Sequence, residues 1–274
     1  MVEALVQRRR LWPLYRRLVG ARIRSAWQYR TSFLTFAIAQ AMVTTLEFSA
    51  LVILVSLVPS LGGWTRPEVA LLYALAALPF GLADLFVSSV DRVPQYVQAG
   101  TFDRVLLRPM PALFQMSALE FELRRVGKAV PPFAVLLWAL PTVDVVWTIG
   151  RVATLAMALV CGTMIYAALW IGTASAAFWI VATEQAANAV TYGGEFANEY
   201  PLHLYRPAIR LVLGWAIPLA FVAYVPSQHL LDAANPLGMP SWLIWATPLV
   251  AVATLGVAML AWAVGIRHYQ STGS

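Results

Sequence analysis

The alternation of apolar and polar positions divides the chain into six long apolar runs, separated by polar segments of very unequal length. The runs cover residues 32–58, 68–90, 129–148, 151–181, 208–226 and 242–266. Each has roughly the 20 residues that an α-helix needs to cross about 30 Å of hydrocarbon. The pattern predicts an all-α membrane protein with six transmembrane helices, both ends of the chain lying on one side. The fourth run holds no charge between Arg151 and Glu184. At 1.5 Å per residue it would be a helix of about 46 Å, which must tilt or protrude from the bilayer. The third run carries Pro131, Pro132 and Pro141, tolerable where neighbouring helices satisfy the freed carbonyls. After the fifth run, which contains Pro218, residues 227–241 stay apolar and hold no basic residue. This predicts a re-entrant segment broken at Asn235-Pro236. Ala168, Gly172 and Ala176 in the fourth run, and Ala37, Ala41, Thr45 and Ser49 in the first, form ridges of small residues suited to close helix packing.

Two polar segments have patterns of their own. Within residues 1–31, Leu11, Leu14, Tyr15 and Leu18 fall at helical spacing, while Arg9, Arg16, Arg17 and Arg24 lie on other faces. That predicts a basic amphipathic helix along the membrane surface, or else a basic tail that only sets topology. Residues 91–128 form the longest polar interruption, with six basic residues and with Pro94 and Pro109 bracketing a few helical turns. Such a segment can lie on lipid headgroups, join two spans passively or plug into a soluble partner. The first thirty residues do not read as a signal peptide, since no small-x-small cleavage site follows the first apolar run.

Composition sharpens this picture. The chain of 274 residues is 60% hydrophobic and 12% charged, with a mean hydropathy of +0.70, far from the makeup of a soluble domain. It carries a net charge of +6, but its basic residues crowd beside the apolar runs and act as topology signals; no nucleic-acid module is indicated. With the N-terminus inside, seventeen Lys and Arg fall in inner segments and two, Arg66 and Arg151, in outer loops. The positive-inside rule then places both termini in the cytoplasm. Arg206 and Arg210 are counted among the inner residues on this layout. Domains follow as 1–31 and a single transmembrane unit, 32–274.

Candidate chemistry is sparse. Cys161, the single cysteine, lies inside an apolar run, so no disulfide or cysteine metal site is available. His203, His229 and His268 are far apart, and no metal is assigned. Lys128 is preceded by Glu122 where a phosphate-binding loop needs its first glycine, so no P-loop and no catalytic residue is read in this chain. Glu47 is the one carboxylate near the middle of a run, with no basic residue in a span core to pair with it. It is expected to be protonated, bonded to Thr44 or Thr45, or hydrated, and either structural or part of a pathway. Asp84 is expected to have a structural role near the inner interface.

Three stretches in order resemble the membrane subunit, or permease, of bacterial ABC type-2 exporters, in the six-span branch encoded apart from its ATPase. They are Gly100-Thr101-Phe102-Asp103-Arg104-Val105-Leu106-Leu107-Arg108-Pro109, then Phe196 to Tyr205, then Ile217 to Pro226 with Leu230-Leu231. The resemblance implies an N-terminal connecting helix, a cytoplasmic coupling helix in 91–128 and a re-entrant segment between spans five and six. It implies a dimer with an identical or homologous second permease over two copies of an ABC ATPase, which holds the ATP and Mg, in the bacterial inner membrane. The coupling interface would be Gly100, Thr101, Phe102, Asp103, Arg104, Val105, Leu106 and Arg108, with Phe102, Val105 and Leu106 as the buried contact. Glu47 is the candidate pathway residue. The aromatic, nearly charge-free runs point to an amphipathic or hydrophobic cargo such as a drug, lipid or peptide. Two alternatives stand beside this reading: a proton-coupled secondary transporter using Glu47, and a non-transporting membrane scaffold.

Overall fold

The computed structural model describes residues 2–108, 110–119, 121–180, 184–232 and 236–269, with the side chains of 2–12, 14, 15, 119 and 184 set aside. Pro109, Asn235 and the Leu11, Leu14 and Tyr15 part of the N-terminal stripe, all used above, therefore lie outside the described residues or side chains. Among the described residues the chain is helical, in the order α1 (Val2–Gln28), α2 (Arg30–Ser56), α3 (Arg66–Val87), α4 (Val93–Gln98), α5 (Asp103–Leu106), α6 (Ala112–Leu119), α7 (Val126–Thr142), α8 (Ile149–Ser175), α9 (Glu184–Asn198), α10 (Pro207–Leu211), α11 (Tyr224–Leu231) and α12 (Leu243–His268).

Local chemistry sets several of these limits. α3 begins on a capping box, in which the Thr65 backbone N–H donates to Glu68 Oε2 at 2.6 Å, with Pro67 in the first turn. α8 begins where Thr148 Oγ1 accepts from the Arg151 N–H. α4 ends at Gly100, whose φ of 64° lets the chain reverse while the Thr101 and Phe102 N–H groups return to the Tyr96 carbonyl.

Four helical segments are long and apolar enough to cross a membrane: Arg30–Ser56, Arg66–Gln98, Ile149–Phe178 and Leu243–His268. α3 is the buried centre of the bundle, its residues 69–81 wholly enclosed, with α7 and α8 packed on it and α12 packed along α8. α7 has 17 residues, ending at Val143 where the backbone turns extended, so the third run yields a shorter helix than expected. The fifth run, expected as a straight span, is a pair bent by 71° between Pro207–Ala216 and Leu219–Leu231. A π-helical turn at Val212–Ala216 and Pro218 make the break.

α9, expected as part of an inner loop, is the largest departure. It starts six residues after Phe178 and passes Tyr166, midway along α8, where the Asn198 side-chain N–H donates to the Tyr166 hydroxyl. Its continuation brings His203 to the opposite end of the bundle, where Nε2 lies 2.9 Å from the carbonyl oxygen of Gly62, in the α2–α3 loop, and Nδ1 lies 3.1 Å from the Tyr224 hydroxyl. Arg206 and Arg210 therefore belong to the end opposite the 91–128 segment, which changes the tally to fifteen basic residues against four. The bias survives. The chain between residues 207 and 231 starts and finishes near that same end, since Asp232 pairs with Arg151 at the start of α8. Both ends of the bent pair thus lie near one end of the bundle, and the irregular stretch begins at residue 207, ahead of the expected 227–241 segment.

Candidate functional site

Two polar sites stand out at the end of the bundle that carries residues 88–128. The first fastens this segment to α3. Arg125 Nη1 donates to Asp84 Oδ1 at 2.8 Å and to Ser88 Oγ at 2.6 Å, while its Nε reaches Glu122 at 3.2 Å. Glu122 also accepts from Arg92 at 2.5 Å and from Arg124 at 2.9 Å. Asp84 therefore has the structural role expected of it. Burial works against charge on Glu122, but the hydrogen bond from Arg124 and the charges of Arg125, Arg124 and Arg92 outweigh it and hold the carboxyl below its ordinary value.

A pH dependence follows from that direction. Between the folded and unfolded values the unfolded chain binds more protons, so the contribution is complete above the ordinary value of 4.5 and is lost as pH falls through the folded value. Thermal melting of purified protein at descending acid pH will show this loss, and Glu122→Gln will flatten it. Parallel curves for the two proteins would disprove the assignment.

The coupling candidates sit just beyond this network. Phe102 and Val105, expected to contact a partner, are instead turned into the chain's own core. Phe102 is 0% exposed, with its ring centroid 5.3 Å from both Phe178 and Tyr269, and Val105 is also buried. The physical reason is proximity: the apolar face of a four-residue helix finds its nearest apolar surface at the ends of α8 and α12. Arg104, Leu106, Leu107 and Arg108 face outward, and Leu107 is 85% exposed. Gly100, Thr101 and Asp103 are half-buried. Gln115, which the sequence reading passed over, holds the segment in shape by donating to the Val105 and Met110 carbonyls at 2.8 and 2.7 Å.

The second site lies deeper. Lys128, read as a loop residue, is on the first turns of α7 and is only 8% exposed. Its Nζ is 3.4 Å from Glu195 Oε2 on α9 and stands over the rings of Phe80 (4.1 Å) and Tyr192 (4.9 Å). Glu199, one turn beyond Glu195, is 4% exposed. Glu47 is exposed on the outer face of α2, within electrostatic reach of both acids. Thr44 and Thr45 donate to the Gln40 and Ala41 carbonyls of their own helix, so the expected bond to Glu47 is not made. Beside Lys128 a polar cavity of about 240 Å³ is lined by Gln40, Asp84, Glu122, Arg125 and Tyr192 among others. Sequence reasoning missed Lys128 and Glu195 because an assigned loop hid both. The signal was present in the lone lysine and in the four-residue spacing of Glu195 and Glu199.

Comparison with known proteins gives one finding. A family model described as ABC-2 family transporter protein matches residues 41–273. No curated protein and no solved structure matches the chain.

Proposed function

The chain belongs to the ABC-2 transporter family, and from that premise, as the multi-pass membrane component of an ABC transporter, we propose that it is the permease of an ATP-driven exporter. It crosses the inner membrane six times, through α2, α3, α7, α8, α9 and α12, with both termini in the cytoplasm and residues 207–231 dipping back from the outer side. Two such subunits, identical or homologous, oppose their largely uncovered α2 faces and enclose the pathway. Two ATPase copies, which hold the ATP and Mg, dock beneath them. The cargo is amphipathic or hydrophobic.

One observation carries the coupling assignment: Arg104, Leu106, Leu107 and Arg108 project from a turn that is seated on the rings of Phe178 and Tyr269 and held by Gln115. Exposed leucines flanked by arginines give an apolar anchor with charged orientation, the makings of a docking contact. When ATP draws the ATPases together, the seated turn moves with them and shifts the balance between inward-open and outward-open packings.

Leu107→Asp is expected to leave the protein folded and membrane-inserted but to abolish its stimulation of the partner ATPase in reconstituted vesicles. Phe102→Ala, by contrast, is expected to lower thermal stability by about 3–5 kcal/mol, because it empties an enclosed aromatic site. Full stimulation by Leu107→Asp would refute the docking assignment.

A further inference from the structure

We propose that the angle between α1 and α2 is a binding site for the phosphate headgroup of an anionic phospholipid. The two helices meet at Tyr29, and the turn that precedes α7, residues 121–124, stands against their junction. Between them lies a cavity of about 300 Å³. It adjoins the cavity beside Lys128, with which it shares Phe36, Glu122 and Arg124. Arg22 and Ser25 line it from α1, Tyr29 from the junction and Ser32 from α2, and none of these four side chains has a hydrogen bond or ion pair among the described residues. Arg124 lines it from the other side. Its Nε and Nη2 donate to Glu122 Oε2 at 3.1 and 2.9 Å, while its Nη1 has no partner among the described residues. Glu122, the one acid in the lining, is already met by Arg92, Arg124 and Arg125. Unused guanidinium and hydroxyl donors therefore converge where no carboxylate is left for a cation. Their complement is an anion with several acceptor oxygens, as a phosphate is.

The rest of the lining distinguishes a lipid from a soluble phosphate. Phe33, Phe36 and Phe121 supply an apolar wall, and the Arg124 guanidinium lies over the Phe36 ring, 5.1 Å from its centroid. Phe33 and Phe36 belong to the first two turns of α2, a helix long and apolar enough to cross the bilayer. Trp27, Leu34 and Ile38 on the same two helices are exposed, as suits the boundary between headgroups and hydrocarbon. A ligand held here has its head among arginines and hydroxyls and its body beside rings that lead into the membrane. An anionic diacyl lipid satisfies both halves. A soluble phosphate satisfies one, and a zwitterionic head brings a cation to two arginines. The site also differs from the general attraction of a basic surface for acidic lipid, because it depends on Arg22 and Arg124 and not on Arg16, Arg17 or Arg24, which do not line the cavity. Once bound, the phosphate joins α1 to Arg124, and so to the segment that Arg125 fastens to α3. None of this depends on the chain's moving a cargo.

The test uses the full chain, purified in detergent and stripped of co-purified lipid. Native mass spectrometry counts what is retained at equal concentrations of dioleoyl phosphatidylglycerol, dioleoyl phosphatidylcholine and glycerophosphate. One phosphatidylglycerol per chain is expected, held about tenfold more tightly than phosphatidylcholine, with no retention of glycerophosphate. Arg22→Gln and Arg124→Gln are each expected to weaken this binding about tenfold. Arg17→Gln, an equal loss of charge at an exposed position of α1 outside the cavity, is expected to bind like wild type. Equal retention of the two lipids, or wild-type binding by Arg22→Gln, would overturn the proposal. So would the same loss in Arg17→Gln as in Arg22→Gln, which would reveal diffuse surface charge in place of a site. Glycerophosphate retained as strongly as the lipid would overturn the lipid assignment and show a site for a soluble phosphate. The wild-type choice between the two lipids decides the matter even if a variant fails to fold. Because neither ATPase nor cargo is present, a negative result leaves the coupling assignment untouched.

Discussion

Lys128→Met is expected to destabilise the folded protein by about 3–5 kcal/mol. The substitution preserves length and apolar contact with Phe80 and Tyr192 but removes the only cation bonded to Glu195 among the described residues, where that side chain is buried. Glu195 must then remain charged without compensation or take a proton, and either outcome loosens the junction of these helices. The companion substitution separates the pair from mere packing. Lys128→Met with Glu195→Met replaces both charges by apolar side chains of similar reach, and the double variant should recover most of the loss. Thermal unfolding in detergent, followed by size-exclusion homogeneity, reads both proteins. A single variant as stable as wild type, or a double variant less stable than the single, would show that the ion pair does not hold α9 in place.

The second large effect is expected one position earlier. A Cβ at Gly127 would stand 2.1 Å from the carbonyl oxygen of Ala37, 2.9 Å from its carbonyl carbon and 3.1 Å from its Cα, all of them backbone atoms. Because no side chain there can rotate away, Gly127→Val forces α2 and α7 apart and costs about 1–3 kcal/mol or more. It should appear as a fall in the fraction of protein extracted as a homogeneous species and as a lower melting temperature. The contrasting substitution Gly256→Ala, where an added Cβ meets nothing within 4 Å, should be neutral. Equal behaviour of the two variants would argue that α2 is not seated on α7 at this point.

How far the chain could be read from its sequence depends on what each helix is made of. α2, α3, α8 and α12 are uniform apolar runs, and hydropathy alone places them to within a few residues. α9 carries Gln185, Asn188, Thr191, Glu195 and Asn198, so the same measure treats it as a loop, although Glu195 meets Lys128 on α7 and Asn198 meets Tyr166 on α8. That one omission put Arg206 and Arg210 at the wrong end of the bundle and hid the partner of Lys128. The small-residue ridge of α2 was legible as a packing surface, but its seat against Gly127 was not, because spacing does not say which neighbour approaches. In the 100–108 segment the sequence reading took Leu106 together with Phe102 and Val105 as the buried contact, and Leu106 is exposed while the other two are buried. The pattern could not say whether those two are buried by this chain or by another, and the ends of α8 and α12 lie nearer.

The stack of Phe102, Phe178, Trp262 and Tyr269 has a mechanical consequence. Phe102 touches Phe178 just beyond α8 and Tyr269 just beyond α12, while Phe178 also meets Trp262 on α12. On the docking proposed above, a push on Leu107 would be felt first at α8 and α12, the pair packed along each other.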